Sequence, residues 1–180
     1  MSAAYEDAAR RLGLELAKRQ LTVVYGGGAV GLMGVLADAA LDAGGRVVGV
    51  IPKGLFAREI GHRGLSELIE VDTMHQRKQK MFELADAFVA LPGGLGTVEE
   101  LTEMATWAQL GIHAKPMVTL DVDGYWKPFH SFLQAIADAG FMLPANVRLI
   151  ANAQRVDDVV PILESYDVPY VDKWLDLDQA

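Results

Sequence analysis

A glycine-rich segment followed by two glutamates is the part of the sequence best suited to chemistry. Leu91-Pro-Gly-Gly-Leu-Gly-Thr-Val-Glu-Glu100 follows an apolar run and leads into a helical pattern. Its three glycines allow main-chain N–H groups to approach an anion such as a phosphate. A carboxylate beside such a loop, here that of Glu100, can accept hydrogen bonds from ribose hydroxyls or position a water molecule. The pattern indicates a phosphate-binding loop with a candidate catalytic carboxylate.

A structural interpretation of the same segment is open at this point. Thr97 and Glu100 have the spacing of a capping box, in which Thr97 begins the helix and Glu100 folds back onto its N–H. Glu99, Glu100 and Glu103 would also suit the positive end of a helix dipole. Three carboxylates beside a phosphate loop would repel the ligand, however, which favours a functional role for one of them.

A second candidate is the basic cluster in Asp72-Thr-Met-His-Gln-Arg-Lys-Gln-Lys80. We predict a helix capped by Asp72 or Thr73, so Arg77, Lys78 and Lys80 fall in its first two turns, where the dipole disfavours cations. A solvated charged face is one interpretation. The other is an anion site, in which arginine offers a planar fork and lysine a point charge. His75 is more typical of a structural hydrogen-bonding residue than of a base.

An earlier glycine loop lies in Tyr25-Gly-Gly-Gly-Ala-Val-Gly-Leu-Met-Gly34, with Gly27 and Gly28 as candidate binding residues. Its glycines satisfy the dinucleotide pattern G-x-G-x-x-G. An NAD site also needs an acidic residue at the end of the next strand. That strand ends at Ile51-Pro-Lys-Gly54, without an acid. The sequence disfavours NAD and leaves a mononucleotide or sugar-phosphate site, or glycines that serve only a tight turn.

The elements that position these loops alternate along the chain. Apolar runs predict strands over 21–25, 46–51, 87–91 and 116–120, with a weaker one over 67–71. Helical patterns cover 4–19, 31–43, 75–85, 97–110, 126–139, 144–150 and 155–165. This alternation predicts an α/β fold, a Rossmann-like doubly wound parallel sheet with helices on both faces, in a single domain over 1–180. Ligands of such sheets bind at the carboxyl ends of the strands.

Composition narrows the functional classes. The 180 residues contain no cysteine, so thiol catalysis and cysteine-ligated metals are excluded, and the four histidines form no zinc-binding pair. A net charge of −8 makes nucleic acid an unfavourable partner. No apolar run has the roughly 18 residues that a membrane span requires. With no export signal visible, we expect a cytoplasmic protein.

The sequence resembles the Lonely Guy family from about residue 5 to about residue 165. The resemblance lies in Tyr25-Gly-Gly-Gly-x-x-Gly-Leu-Met-Gly34, Met74-His-Gln-Arg-Lys78, Pro92-Gly-Gly-Leu-Gly-Thr-Val-Glu-Glu100 and Thr106-Trp-Ala-Gln-Leu-Gly-Ile-His113. Family members are cytokinin riboside 5′-monophosphate phosphoribohydrolases, called lysine decarboxylases in older naming. The resemblance implies hydrolysis of the N-glycosidic bond of N6-substituted AMP, and in several members of AMP itself, to free base and ribose 5-phosphate.

The resemblance also implies residue roles. Arg77 and Glu100 match the catalytic pair, and Glu59 aligns with a glutamate that contacts base or ribose, although a surface pair with Arg58 or Arg63 would explain it equally. Nucleotide-binding residues are expected at Lys78, Gly93, Gly94, Leu95, Gly96, Thr97 and Thr106, besides the two glycines of the first loop. No metal or cofactor is implied. The resemblance does imply a homodimer, in which the site lies near an interface that includes Trp107–Ile112.

One departure and three competing functions remain. Family members usually begin with one further strand, which we expect to be missing here because Met1-Ser-Ala-Ala-Tyr5 already leads into the first helix. A lysine decarboxylase would need a Schiff-base lysine, and Lys53, Lys78, Lys115 and Lys127 have no convincing cofactor setting. A nucleotide-binding or carrier protein without turnover is the alternative function. An NAD-dependent oxidoreductase is disfavoured by the missing ribose acid.

Overall fold

The computed structural model describes residues 2–53 and 61–167, in which α-helices alternate with parallel β-strands. The chain divides into two compact units, Met1–Ala85 and Asp86–Ala180. Each unit contains a three-stranded parallel sheet with helices around it. The predicted α/β class and parallel pairing are confirmed. The assignment of 1–180 to a single domain stays a prediction.

The first unit contains three helices and three strands among its described residues. They are α1 (Ala3–Lys18), β1 (Val23–Tyr25), α2 (Gly31–Asp42), β2 (Val47–Pro52), β3 (Glu67–Val71) and α3 (Met74–Leu84). Strand β2 lies between β1 and β3, with Val24 opposite Val48 and Val50 opposite Ile69. All six residues of β2 are buried, as expected of a central parallel strand that is covered on both faces.

Small residues allow helices α1 and α2 to pack closely. Ala8, Ala9 and Leu12 of α1 are buried, as are Ala37 and Ala40 of α2, and the two helices are in contact. The same alanines of α2 join Val23, Tyr25 and Val47 in one apolar cluster beneath the first glycine loop. Each Å² of apolar surface that is buried stabilises the fold by roughly 25 cal/mol. The cluster therefore stabilises strand β1, from which the first glycine loop emerges.

The second unit repeats the strand–helix order. Its elements are β4 (Phe88–Ala90), α4 (Leu95–Gln109), β5 (Met117–Leu120), α5 (Lys127–Asp138), a 3₁₀ helix (Pro144–Leu149), β6 (Ala151–Ala153) and α6 (Val156–Glu164). Strand β5 is central and fully buried, with Ala90 of β4 opposite Thr119 and Ala153 of β6 opposite Leu120. The glycine loop that follows β4 therefore emerges beside the loop that follows β5.

Two histidines of the second unit have structural roles. His113 Nε2 lies 2.8 Å from the carbonyl oxygen of Met104, while its Nδ1 accepts the N–H of Lys115 at 3.1 Å. His130 Nε2 lies 2.8 Å from Oγ1 of the buried Thr119. Burial lowers the pKa of His113 and also that of His130 below the ordinary value. Both side chains are thus favoured in the neutral form, which the bond accepted by His113 Nδ1 requires.

No helix within residues 2–53 and 61–167 has both the length and the apolar character needed to cross a membrane.

Candidate functional site

Arg77 is fixed against the main chain at the end of β1. Helix α3 begins after Thr73, whose side chain accepts the N–H of Gln76 at 3.1 Å, which confirms one of the two predicted caps. Arg77 Nε donates to the carbonyl of Val50 at 3.2 Å. A Cβ added to Gly26 would lie 1.6 Å from Arg77 Nη2, so a larger residue here would displace the guanidinium from this position. The structure thus places a delocalised positive charge at the carboxyl ends of β1 and β2.

The first glycine loop is held from its other side by His62. The N–H of His62 donates to the carbonyl of Gly27 at 3.0 Å, and Gly28 forms an isolated antiparallel bridge with Gly61. The ring is also fixed, because Nδ1 accepts the N–H of Gly64 at 3.2 Å and Nε2 lies 2.8 Å from Asp38 Oδ1. Nε2 therefore carries the hydrogen. Sequence reasoning did not identify this contact.

A buried tyrosine closes the base of the same loop. Tyr25, at the end of β1, is 6% exposed. Burial, and to a smaller extent the negative charge of Asp38, raise the pKa of its hydroxyl above the ordinary value. Tyr25 is thus a neutral packing residue beneath the loop rather than an acid or a base. Lys78, which follows Arg77 on α3, is partly buried.

The second glycine loop leads directly into helix α4, which begins two residues earlier than the sequence predicts. The N-cap is Gly94 and the first helical residue is Leu95. The N–H groups of Thr97 and Val98 both donate to the carbonyl of Gly94, at 3.1 and 3.2 Å. Thr97 is therefore the third residue of the helix, and the capping-box interpretation of Thr97 and Glu100 is wrong. The reason is that glycine can serve as an N-cap without a side-chain bond.

Close packing defines the shape of this loop. A Cβ on Gly93 would lie 2.2 Å from Thr97 Oγ1 and 2.8 Å from Thr97 Cβ, so Thr97 requires glycine at this position. The N–H groups of Gly94, Leu95 and Gly96 lie at the start of α4, where the main chain of a helix offers them no acceptor. Leu95 is 88% exposed, which is unusual for a leucine. Such a helix start is suited to an anion.

Glu100 and Thr106 lie on α4 at different distances from the loop. Glu100 is partly buried in the second turn, whereas the neighbouring Glu99 is exposed. Thr106 is exposed, and its hydroxyl donates to the carbonyl of Thr102 at 2.8 Å. At a rise of about 1.5 Å per residue, Thr106 lies about 13 Å along the helix from Thr97 and on the opposite face. The structure does not bring Thr106 to the loop of its own chain.

Glu59 lies outside the described residues. Within the described ranges, no three histidine or carboxylate side chains converge in a group that could hold a metal ion. The loops themselves offer N–H groups and a guanidinium, which attract anions and not cations.

One further residue of this region was missed by the sequence analysis. The hydroxyl of Tyr125 donates a hydrogen bond to the carbonyl oxygen of Gly93. No local motif marks this tyrosine, because it is 32 residues away in sequence. The signal that could have found it is topological, since β4 and β5 are parallel neighbours and their following loops share one edge.

Taken together, the described parts define a parallel α/β protein with two strand-to-helix glycine loops, one beside a fixed arginine and the other followed by a glutamate. Comparison with known proteins gives the family. Residues 33–163 match the family model described as "Possible lysine decarboxylase". The chain belongs to this family, which includes the Lonely Guy proteins that its motifs resemble.

Plant enzymes are among the curated relatives. The chain is 48% identical over 168 residues to the cytokinin riboside 5′-monophosphate phosphoribohydrolase LOG of Oryza sativa subsp. japonica, covering 93% of this chain and 69% of that protein. It is 49% identical over 163 residues to LOG7 of Arabidopsis thaliana, which carries the same enzyme name, covering 91% and 75%.

Solved structures share the fold. The X-ray structure of TM1055 has a TM-score of 0.70 at 26% identity and covers 92% of each chain. The molybdenum cofactor carrier protein of Chlamydomonas reinhardtii has a TM-score of 0.66 at 22% identity, covering 91% of this chain and 88% of that one. The second likeness concerns the fold alone.

Proposed function

We propose that this protein is a cytokinin riboside 5′-monophosphate phosphoribohydrolase, which hydrolyses the N-glycosidic bond of N6-substituted AMP and also accepts AMP. The observation that carries the proposal is the way in which the second glycine loop begins helix α4. Helix α4 is capped by Gly94, so Glu100 is not the capping residue that its spacing predicts. The enzyme names of relatives at 48% and 49% identity support the same activity.

The reaction replaces the C–N bond at C1′ of the ribose with a C–O bond and moves one proton from water to the base. Water adds to C1′ of the ribose while the bond from C1′ to N9 of the purine breaks, and the base leaves with a proton. Positive charge develops on the ribose ring, as in glycoside hydrolysis. A carboxylate that accepts hydrogen bonds from ribose hydroxyls, or orients the water, stabilises that charge. In the proposal, this is the role of Glu100.

The remaining residues hold the substrate. The N–H groups of Gly94, Leu95 and Gly96 bind the 5′-phosphate at the start of α4. Arg77, fixed on Gly26 and Val50, engages the phosphate or the base and assists departure of the purine. Lys78 contributes positive charge beside it, and Gly27 and Gly28 line the first loop. Hydrolysis needs only water as co-reactant, and the proposal includes no cofactor.

The surroundings of Lys53 do not support the lysine decarboxylase activity in the family's older name. A lysine that forms a Schiff base works best with a depressed pKa. Lys53 instead donates to Asp72 Oδ1 at 2.8 Å, and this hydrogen bond raises the pKa of Lys53. The raised value favours the ammonium form, which cannot attack an aldehyde.

The experiment is an incubation of the purified protein with AMP and, separately, with isopentenyladenosine monophosphate, followed by chromatography of the free base. We expect adenine from the first substrate and isopentenyladenine from the second, each with an equal amount of ribose 5-phosphate. A folded protein that binds AMP but releases no base from either nucleotide would instead be a carrier. The ratio of the two rates gives the preference for the N6 substituent.

We also propose that the chain acts as a cytoplasmic homodimer with the site near its interface. Leu110 and Ile112, just after α4, are 40% and 53% exposed, and Thr106 lies on the same half of that helix. A second copy over this surface would bury both apolar side chains and give Thr106 a nucleotide to contact. The molar mass from light scattering should be twice that of the chain. Ile112→Asp should halve it, whereas Leu14→Asp on α1 should not; a monomeric wild-type protein would refute the proposal.

A further inference from the structure

Tyr125 connects two loops of the second unit. Its hydroxyl donates to the carbonyl of Gly93, the first glycine of the second glycine loop. We propose that Tyr125 is a positioning residue, which turns the peptide between Gly93 and Gly94 so that its N–H faces the 5′-phosphate of the substrate. The phosphate as ligand rests on the proposed function, whereas the orientation of the loop does not.

The argument begins with the planarity of the peptide bond. In a trans peptide, the carbonyl of one residue and the N–H of the next point in opposite directions. The described peptide bonds include no cis form. A bond from Tyr125 to the Gly93 carbonyl therefore sets the direction of the Gly94 N–H as well. That N–H is the first of the three that precede the intrahelical hydrogen bonds of α4.

Strand topology explains how residues so far apart in sequence meet. Strands β4 and β5 are parallel neighbours, with Phe88 opposite Met117 and Ala90 opposite Thr119. Their carboxyl ends lie at the same edge of the sheet. The glycine loop leaves β4 at this edge, and the turn that contains Tyr125 leaves β5 beside it.

Tyr125 also has a rigid base. The next residue, Trp126, is 1% exposed, and the two rings meet edge to face with centroids 5.3 Å apart. The N–H of Trp126 donates to the buried carboxylate of Asp121 at 2.9 Å. The N–H of Tyr125 closes a turn on the carbonyl of Val122 at 3.1 Å. The hydroxyl is thus presented from a fixed point to a loop whose glycines have high intrinsic freedom.

The test compares Tyr125→Phe with Tyr166→Phe. Tyr166 makes the same kind of bond, from its hydroxyl to the carbonyl of Leu149 at 2.8 Å, but its acceptor lies in the 3₁₀ helix and not in the glycine loop. Hydrogen–deuterium exchange is measured on a peptide spanning 91–98. We expect exchange of these amides to accelerate about fivefold in Tyr125→Phe, from the loss of one hydrogen bond, and to be unchanged in Tyr166→Phe.

Kinetics with AMP gives the second readout. If the N–H of Gly94 points away from the phosphate, binding of the substrate and of the transition state is weakened equally. KM should therefore rise about fivefold in Tyr125→Phe while kcat stays within about twofold. Equal exchange and equal KM in the two variants would overturn the proposal. A normal Tyr125→Phe with a damaged Tyr125→Leu would also overturn it, because the ring and not the hydroxyl would then matter. A wild-type protein that cleaves no nucleotide would refute the proposed function only, since exchange still decides the role of Tyr125.

Discussion

Glu100→Gln should lower kcat for release of adenine from AMP by about 10²–10⁴-fold, the range that general acid–base groups contribute. The amide keeps the size of the side chain but removes the negative charge that would stabilise a cationic ribose. Because Glu100 is not a capping residue of α4, the substitution should leave the start of the helix intact. We expect the melting temperature to change by no more than about 2 °C.

Glu99→Gln is the matched control. Glu99 lies on the same helix, is adjacent in sequence and is exposed, whereas Glu100 is partly buried. The control should retain wild-type kcat and thermal stability. Equal activity in the two variants would contradict a catalytic role for Glu100. A large loss of stability in Glu100→Gln alone would instead indicate that its carboxylate supports the fold.

Arg77→Ala should lower kcat/KM for AMP by about 10²–10³-fold, as expected when one strong donor to a developing charge is removed. Arg77→Lys should recover little of this loss, because a lysine ammonium cannot reproduce the planar guanidinium beside Gly26 or the bond from Nε to Val50. Steady-state kinetics of the two variants beside the wild type measures both effects.

Lys80→Ala provides the comparison on the same helix. Lys80 makes an exposed ion pair with Glu83 at 3.4 Å, a type of contact that contributes little stability. Its loss should leave kcat/KM within about twofold, since exposed pairs away from a ligand are nearly neutral. If Lys80→Ala and Arg77→Ala reduced activity equally, the general positive charge of α3 would matter rather than the fixed guanidinium.

The sequence predicted local structure where local chemistry decides it. The cap at Thr73 and the bounds of β3 follow from side chains within a few residues. The start of α4 was misplaced because Gly94 caps the helix without a side-chain bond, while Thr97 offers the usual capping side chain. Strand β6 was missed because Ala151-Asn-Ala153 has no β-branched or aromatic residue, and its pairing with β5 determines its conformation.

The candidate site was predictable only in part, for the same reason. Arg77 and Glu100 stand in recognisable motifs, and these motifs are sufficient to mark both residues as candidates. Arg77 lies beside Gly26, 51 positions away in sequence, and bonds to Val50, 27 positions away, so no local pattern encodes its position. The contacts that His62 and Tyr125 make with the two loops likewise depend on which strands are neighbours. The sequence therefore indicates candidate roles, whereas the contacts that position these residues depend on the fold.

The fixed arginine has a consequence for how a ligand would bind. A free arginine side chain has about 2 kcal/mol of rotamer entropy to lose. In this protein, the bond from Nε to Val50 holds the side chain in the space that the glycine at position 26 leaves open, so its rotamers are restricted when the chain folds. The cost of ordering it is therefore included in the folding free energy and is not subtracted from the affinity. An anion that meets Arg77 encounters a pre-organised partner, and its binding needs no search among arginine rotamers.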